Sequence, residues 1–170
     1  ETDKRDEGIL SSDYDNDSIK IILDDELKQL LNKVKGTVMI TQDCCNSGTG
    51  WDLPYKYTKQ SNDKYERTVE STKFSPTTTD NIYMLSGSRD DQLAVETGER
   101  LGAFTEALIE TLRLRNHTVT FLNLESAIND YLKDKNLEQR TVFTSANYNV
   151  ITAGITRSMV TSSNVPPYRV

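Results

Sequence analysis

Two adjacent cysteines, Cys44 and Cys45, stand between an acid, Asp43, and a small polar run, Asn46-Ser47-Gly48-Thr49-Gly50. Thiolates are potent nucleophiles when a base takes the proton and nearby donors receive the charge developing on an attacked carbonyl oxygen. Cys45 is the candidate nucleophile, and the amides of Asn46, Ser47 and Gly48 form a turn able to face such an oxygen. A lone cysteine is more often a buried, inert residue; the flanking turn formers and Asp43 argue for chemistry here. An acid two positions away would not help a thiol to ionise. Asp43 is suited instead to receive a cationic side chain from a substrate. Neighbouring cysteines bridge only through a strained ring, so a disulfide framework is not expected. One histidine, His117, and no second cysteine pair leave zinc without ligands.

Those residues need a scaffold. Thr37-Val38-Met39-Ile40-Thr41 is short and rich in β-branched residues, and predicts a strand delivering Asp43 and Cys45 to its carboxyl end. Open α/β sheets build their sites at that end. Asn81–Gly87 predicts a second buried strand, and 141–146 a third. Asp24 occupies an N-cap position before a helix over about Asp25 to Lys33, with Leu27, Leu30, Leu31 and Val34 at helical spacing. Helices are predicted over Gly102–Leu114, from Phe104, Leu108 and Leu112, and over Asn123–Lys133, from Leu124, Ala127, Ile128 and Leu132. Ile21-Ile22-Leu23 reads as a short buried run after an acidic surface loop. Residues 54–80 are polar and without sustained periodicity, and predict a flexible linker. It offers Lys56, Lys59, Lys64, Arg67 and Lys73 to a basic-specific protease.

At 170 residues the chain is large enough for one domain with a real core. Its net charge of −6 argues against nucleic acid or an anionic membrane as partners. No apolar run approaches the roughly 18 residues of a membrane span. Reduced thiols fit a cytoplasmic protein, which makes the sequons at Asn16 and Asn116 chance matches.

The run from Asp43 through Trp51-Asp52-Leu53-Pro54-Tyr55 resembles the active-site segment of the metacaspases, cysteine peptidases of the caspase fold. The resemblance extends upstream to Asp6-Glu7, Ile9-Leu10 and the Asp24-Asp25-Glu26-Leu27 helix start. Downstream it takes in Leu85–Gln92 and Gly102–Thr105, so that it covers roughly residues 6–115. It implies an α/β caspase-like three-layer sandwich with a mostly parallel sheet, whose first strands precede this chain. It divides the chain into the end of a large-subunit-like region (1–53), a linker or processing loop (54–80), a small-subunit-like region (81–156) and a tail (157–170). By the same resemblance Cys45 is the nucleophile and Asp43 lines a pocket for a basic P1 side chain, implying cleavage of peptide and protein substrates after Arg or Lys, with autoprocessing. Asp24, Asp25 and Asp52, with Asp6, match acids that bind activating Ca2+, and a monomer is expected.

Two departures accompany the resemblance. Asn46 stands where the family has a non-catalytic histidine. The histidine-bearing Tyr-Ser-Gly-His-Gly motif does not occur here; caspase-type enzymes place their base about 50 residues before the cysteine, which implies an upstream segment carrying it. The alternative is a catalytically inactive caspase-like module that binds partners or calcium. Asp13, Asp15, Asp17 and Asp24 also approximate an EF-hand loop, with Ser18 at the turn-glycine position. A phosphate-binding, flavodoxin-like reading lacks its Gly-rich loop.

Overall fold

A computed structural model describes residues 8–10, 21–31, 33–45, 48, 51–60, 64–69, 81–97, 101–150 and 152–156. The elements in chain order are β1 (Gly8–Leu10), β2 (Ile21–Leu23), α1 (Asp24–Leu31), β3 (Val38–Gln42), β4 (Tyr55–Lys59) and β5 (Tyr65–Val69). They continue with β6 (Ile82–Ser86), α2 (Ala103–Leu114), β7 (Val119–Thr120), α3 (Phe121–Asp134), β8 (Val142–Ser145) and β9 (Gly154–Ile155).

Five strands form the central sheet in the order β3-β6-β8-β4-β5. The pair β3/β6 is parallel, in register from Val38↔Ile82 to Gln42↔Ser86. The pairs β6/β8, β8/β4 and β4/β5 are antiparallel. The α/β class stands as expected, but within this chain the sheet is mixed, because β8 and β5 run against the direction shared by β3, β6 and β4.

Side-chain alternation explains the layers. In β6, every residue of which is buried, Tyr83 and Leu85 join one apolar cluster while Ile82 and Met84 join the other. The first cluster lies under α2 and α3, through Phe104, Ala107, Leu124, Ile128 and Leu132. Its centre is aromatic: Phe121 stacks on Tyr83 at 4.7 Å and on Phe143 at 5.6 Å between ring centroids. The second cluster joins Ile82, Met84, Val38 and Ile40 to Leu31 of α1 and to Leu53.

Both long helices end in the same way. Asn116 (φ 51°) follows α2 and Asn136 (φ 58°) follows α3, each in the left-handed conformation that asparagine tolerates. The next amide closes the motif: His117 N–H donates to Leu112 O at 2.8 Å and Leu137 N–H to Leu132 O at 3.0 Å. Asn116 thus has a structural task as a helix stop.

Two expectations need correction. Residues 54–69 contain β4 and β5 rather than an unbroken loop, because Tyr55, Tyr57 and Tyr65 pack against the first cluster with polar residues between them. The Ile21-Ile22-Leu23 run is exposed, at 45%, 40% and 38%, because among the described residues it pairs with β1 alone, in a two-stranded ribbon separate from the central sheet. The remainder of the linker (70–80), the tail (157–170), Asp13, Asp15, Asn16, Asp17 and Ser18 lie outside the described residues.

Candidate active site

The parallel pair β3/β6 ends with Gly87 N–H donating to Gln42 O at 2.7 Å. Beyond it the two chains diverge, Asp43-Cys44-Cys45 on one side and Gly87-Ser88-Arg89 on the other. Ser88, fully buried, ties them together by donating its hydroxyl to Cys44 O at 2.9 Å. Gln42 spans the turn with its side chain, accepting from Trp51 Nε1 at 2.8 Å and donating to Cys44 Sγ at 3.1 Å.

Cys45 is exposed and its thiol is free. Its Sγ accepts the backbone N–H of Ala94 at 3.2 Å. Ala94 belongs to a segment laid along the site by two glutamines. Buried Gln139 accepts from Val95 N–H at 2.7 Å and donates to Gly87 O at 2.6 Å. Gln92 donates to Glu138 O at 3.0 Å and accepts from Arg140 N–H at 3.1 Å. Val95 O in turn receives Ala103 N–H at 2.7 Å, which fixes the start of α2.

Asp43 is exposed, yet it is anchored. Its Oδ2 accepts from Thr105 N–H at 3.2 Å and from Thr105 Oγ1 at 2.5 Å. Gly102, the N-cap of α2, offers no side-chain cap, so Asp43 supplies one from 59 positions earlier in the chain (102 − 43). The approach is so close that a Cβ on Gly102 would stand 1.9 Å from Asp43 Oδ2. The amino end of a helix favours a carboxylate there.

A cavity of about 370 Å³ lies between the Val95–Thr97 segment, the start of α2 and the end of α3. Val95, the neighbour of Ala94, and Ala103, the neighbour of Gly102, contribute to its walls, together with the acids Glu96 and Glu106. Glu106 accepts from Tyr131 OH at 2.6 Å, and this hydrogen bond holds its carboxyl below the usual carboxylate range.

Of the turn expected to receive an oxyanion, Gly48 is buried, with a Cβ position only 2.8 Å from Asp90 Oδ1; Asn46 and Ser47 lie outside the described residues. His117 follows the carboxyl end of α2, whereas Asp43 sits at its amino end. The nine steps from Thr105 to Leu114 rise roughly 14 Å along the helix axis, so the histidine is placed away from Cys45.

The acids of the expected calcium site are partly brought together. Asp25 Oδ1 and Asp52 Oδ2 both meet one cation, the ammonium of Lys28, the former at 3.2 Å. Asp52 is buried and takes a left-handed backbone, φ 49°. Among the described residues no group of three or more metal-ligating side chains converges; the side chain of Asp24 and all of Asp6 fall outside that description.

Sequence reasoning missed the positioning residues Ser88, Ala94, Gln139 and Thr105. A backbone N–H carries no signature of its own, and a buried Gln reads as a surface residue until its partners are known.

Comparison with known proteins agrees with this arrangement. A family model described as the caspase domain matches residues 2–151. The chain is also similar to Metacaspase-1A of Aspergillus niger, with 28% identity over 164 residues, covering 67% of this chain and 39% of that protein. It therefore spans well under half the length of this curated relative.

Proposed function

This chain belongs to the caspase-domain family, and from that premise we propose that it is the catalytic-cysteine portion of a cysteine endopeptidase of metacaspase type. Cys45 attacks the scissile carbonyl and forms a thioester as the amine departs; water then releases the acid. The observation that carries this reading is the exposed Cys45 Sγ held at 3.2 Å from the Ala94 amide, one loop away from an anchored, exposed carboxylate.

Asp43 selects the substrate. Thr105 and the amino end of α2 occupy its Oδ2, which fixes the plane of the carboxylate while the residue remains open to solvent. An Arg or Lys side chain at P1 meets a preoriented charge there. The base is a histidine from a segment upstream of these residues, since His117 lies at the far end of α2. Processing at a base of the 54–80 region outside β4 and β5, such as Lys73, and a monomeric state in the reducing cytosol complete the reading. Calcium, held by Asp25 and Asp52 with Asp24, would supply positive charge that draws α1 to the chain following the catalytic turn.

The test is hydrolysis of fluorogenic peptides ending in Arg or Lys, with and without millimolar calcium. It compares this chain with a version extended upstream through the histidine, each beside Cys45→Ala. Turnover by the extended protein, lost in the variant, is the expected result. No turnover in any form, with biological activity surviving Cys45→Ala, would favour an inactive binding module instead. The distance of His117 from Cys45 is the observation on that side.

A further inference from the structure

A second cavity, of about 490 Å³, lies at the end of the central sheet where β6 and β4 finish and β8 begins. That size is within the range of small-molecule sites. Lys56 and Lys59 of β4, Arg89 after β6 and Arg140 before β8 all contribute to its wall. The chain as a whole carries a net charge of −6, so four cations around one cavity run against the general balance. Glu125 of α3 is the one acid among the described residues of that wall.

The cations are held in place. Lys59 Nζ donates to Ser126 Oγ at 2.9 Å, and Arg140 donates to the carbonyls of Leu137 and Gln139 at 3.0 and 2.9 Å. Arg89 meets Asp91 at 3.1 Å, but the two side chains are 50% and 70% exposed, and such pairs are weak. Glu125 is held as well, yet incompletely. It is only 6% exposed, and Asn129 Nδ2 donates to its Oε1 at 2.6 Å, whereas Oε2 has no hydrogen-bond partner. A buried oxygen left in this way is costly unless something completes it.

We propose that this cavity is a binding site for a small phosphate ester, whose oxygens accept from Lys59, Arg89 and Arg140 and complete Glu125 at Oε2. Arginine forks and ammonium groups are natural partners of phosphate. A phosphate monoester presents three terminal oxygens and a charge of about −1.5 to −2 near pH 7. That is enough to engage cations arriving from β4, from the loop after β6 and from the loop before β8. A single carboxylate, with two oxygens and one charge, would leave part of the set unused. Burial pushes Glu125 up to about 7, so below that pH its carboxyl brings a proton to donate rather than a charge that repels the ligand. Oε1 accepts from Asn129, which places the proton on Oε2. Charged and titratable groups face Glu125 from every side: Lys59 from β4, Tyr65 from β5, Asp130 on its own helix, and Arg89 and Arg140 on the cavity wall. Tyr65 already gives its hydroxyl proton to Leu122 O at 2.6 Å. The cavity takes no wall from Asp43 or Cys45, so the site does not depend on the peptidase reading.

The test is calorimetric titration of this chain with inorganic phosphate, ribose 5-phosphate and citrate at one ionic strength. Ribose 5-phosphate should bind with a Kd of about 1 mM or tighter, and more tightly than citrate. Lys59→Gln and Arg89→Gln alter exposed side chains, and each should weaken it at least about tenfold, the loss of a hydrogen bond between charged groups. Lys133→Gln, at an exposed lysine near the end of α3, should leave it unchanged. Glu125→Gln keeps an oxygen for Asn129 and a donor for the ligand at any pH. Wild type should therefore fall behind that variant by about tenfold between pH 6 and 8 as its own donor ionises; the titration of the ligand is common to both proteins. No binding of either phosphate, equal affinities in Lys59→Gln, Arg89→Gln and Lys133→Gln, or citrate bound as tightly as ribose 5-phosphate would overturn the site. Tighter binding of a phosphoserine peptide than of ribose 5-phosphate would overturn the small ester in favour of a phosphorylated protein.

Discussion

Thr105 donates both its backbone N–H and its hydroxyl to a single oxygen, Oδ2, of Asp43. That arrangement gives one carboxylate two tasks, closing the amino end of α2 and presenting charge beside Cys45. The tasks separate by mutation. Thr105→Val keeps the backbone donor and loses the hydroxyl, which should cost about 1–2 kcal/mol for a hydrogen bond to a charged group. It should also lower kcat/KM for Arg-ended peptides, because the carboxylate is then less firmly oriented. Asp43→Ala should cost a similar amount through loss of the cap, and should remove the preference for basic P1 residues altogether. Chemical denaturation alongside kcat/KM for Arg- and neutral-ended peptides checks both. A stability unchanged in both variants would show that the cap is unimportant.

The site was only partly legible in the sequence, and the division is physical. Asp43, Cys45 and the strand that presents them are contiguous, so local pattern sufficed. The helices α2 and α3 follow from apolar spacing, and their boundaries fall within two residues of those predicted. The strands β4 and β5 were hidden because their outward residues are Lys56, Thr58, Glu66 and Thr68, and the inward side marked by Tyr55, Tyr57 and Tyr65 is broken by Arg67, the cross-strand partner of Tyr57. The contacts that hold the site are long-range: Gln139 reaches Gly87 across 52 positions, and Ala94 reaches Cys45 across 49. No local window contains both partners of either contact.

Gln139 is the brace whose loss should be felt most. Replacement by Leu strands Val95 N–H and Gly87 O together, two polar groups that Gln139 alone bridges in this region. At about 1–3 kcal/mol for each desolvated group left unpaired, Gln139→Leu should lose at least about 2 kcal/mol. Ala94 is the residue before Val95, so the variant should also alter the rate at which iodoacetamide alkylates Cys45. Thermal denaturation and peptide mapping of the alkylated chain read the two effects. An alkylation rate identical to wild type would separate Gln139 from the nucleophile.

Gly154 tests the packing at the far edge. A Cβ there would stand 2.2 Å from Val119 O and 2.6 Å from Thr120 Cα, both of them backbone atoms. The backbone of β7 cannot rotate away as a side chain would, and Thr120 is also the N-cap of α3, accepting from Asn123 N–H at 3.3 Å. Gly154→Ala should therefore destabilise by about 1–3 kcal/mol, the usual range for overpacking, with no effect on the chemistry at Cys45. A melting temperature equal to wild type would contradict this close approach.

Glu125 makes the stability of the chain depend on pH. Its carboxyl is 6% exposed, and burial pushes its pKa up to about 7, against an ordinary 4.5. Asn129 Nδ2 donates to Oε1 at 2.6 Å, while Oε2 has no hydrogen-bond partner. The folded chain therefore holds a proton that the unfolded chain releases above about pH 4.5. Between that pH and about 7 the folded state binds more protons, so stability falls as pH rises, and it levels off once both states are ionised. The loss amounts to about 3 kcal/mol at most, taking 1.36 kcal/mol for each pH unit. Glu125→Gln retains an oxygen for Asn129 and has nothing to titrate. The variant should match wild type near pH 5 and exceed it by about 2–3 kcal/mol near pH 8. Urea unfolding across that range gives the comparison, and parallel curves for the two proteins would mean that Glu125 is already ionised in the folded chain at pH 5.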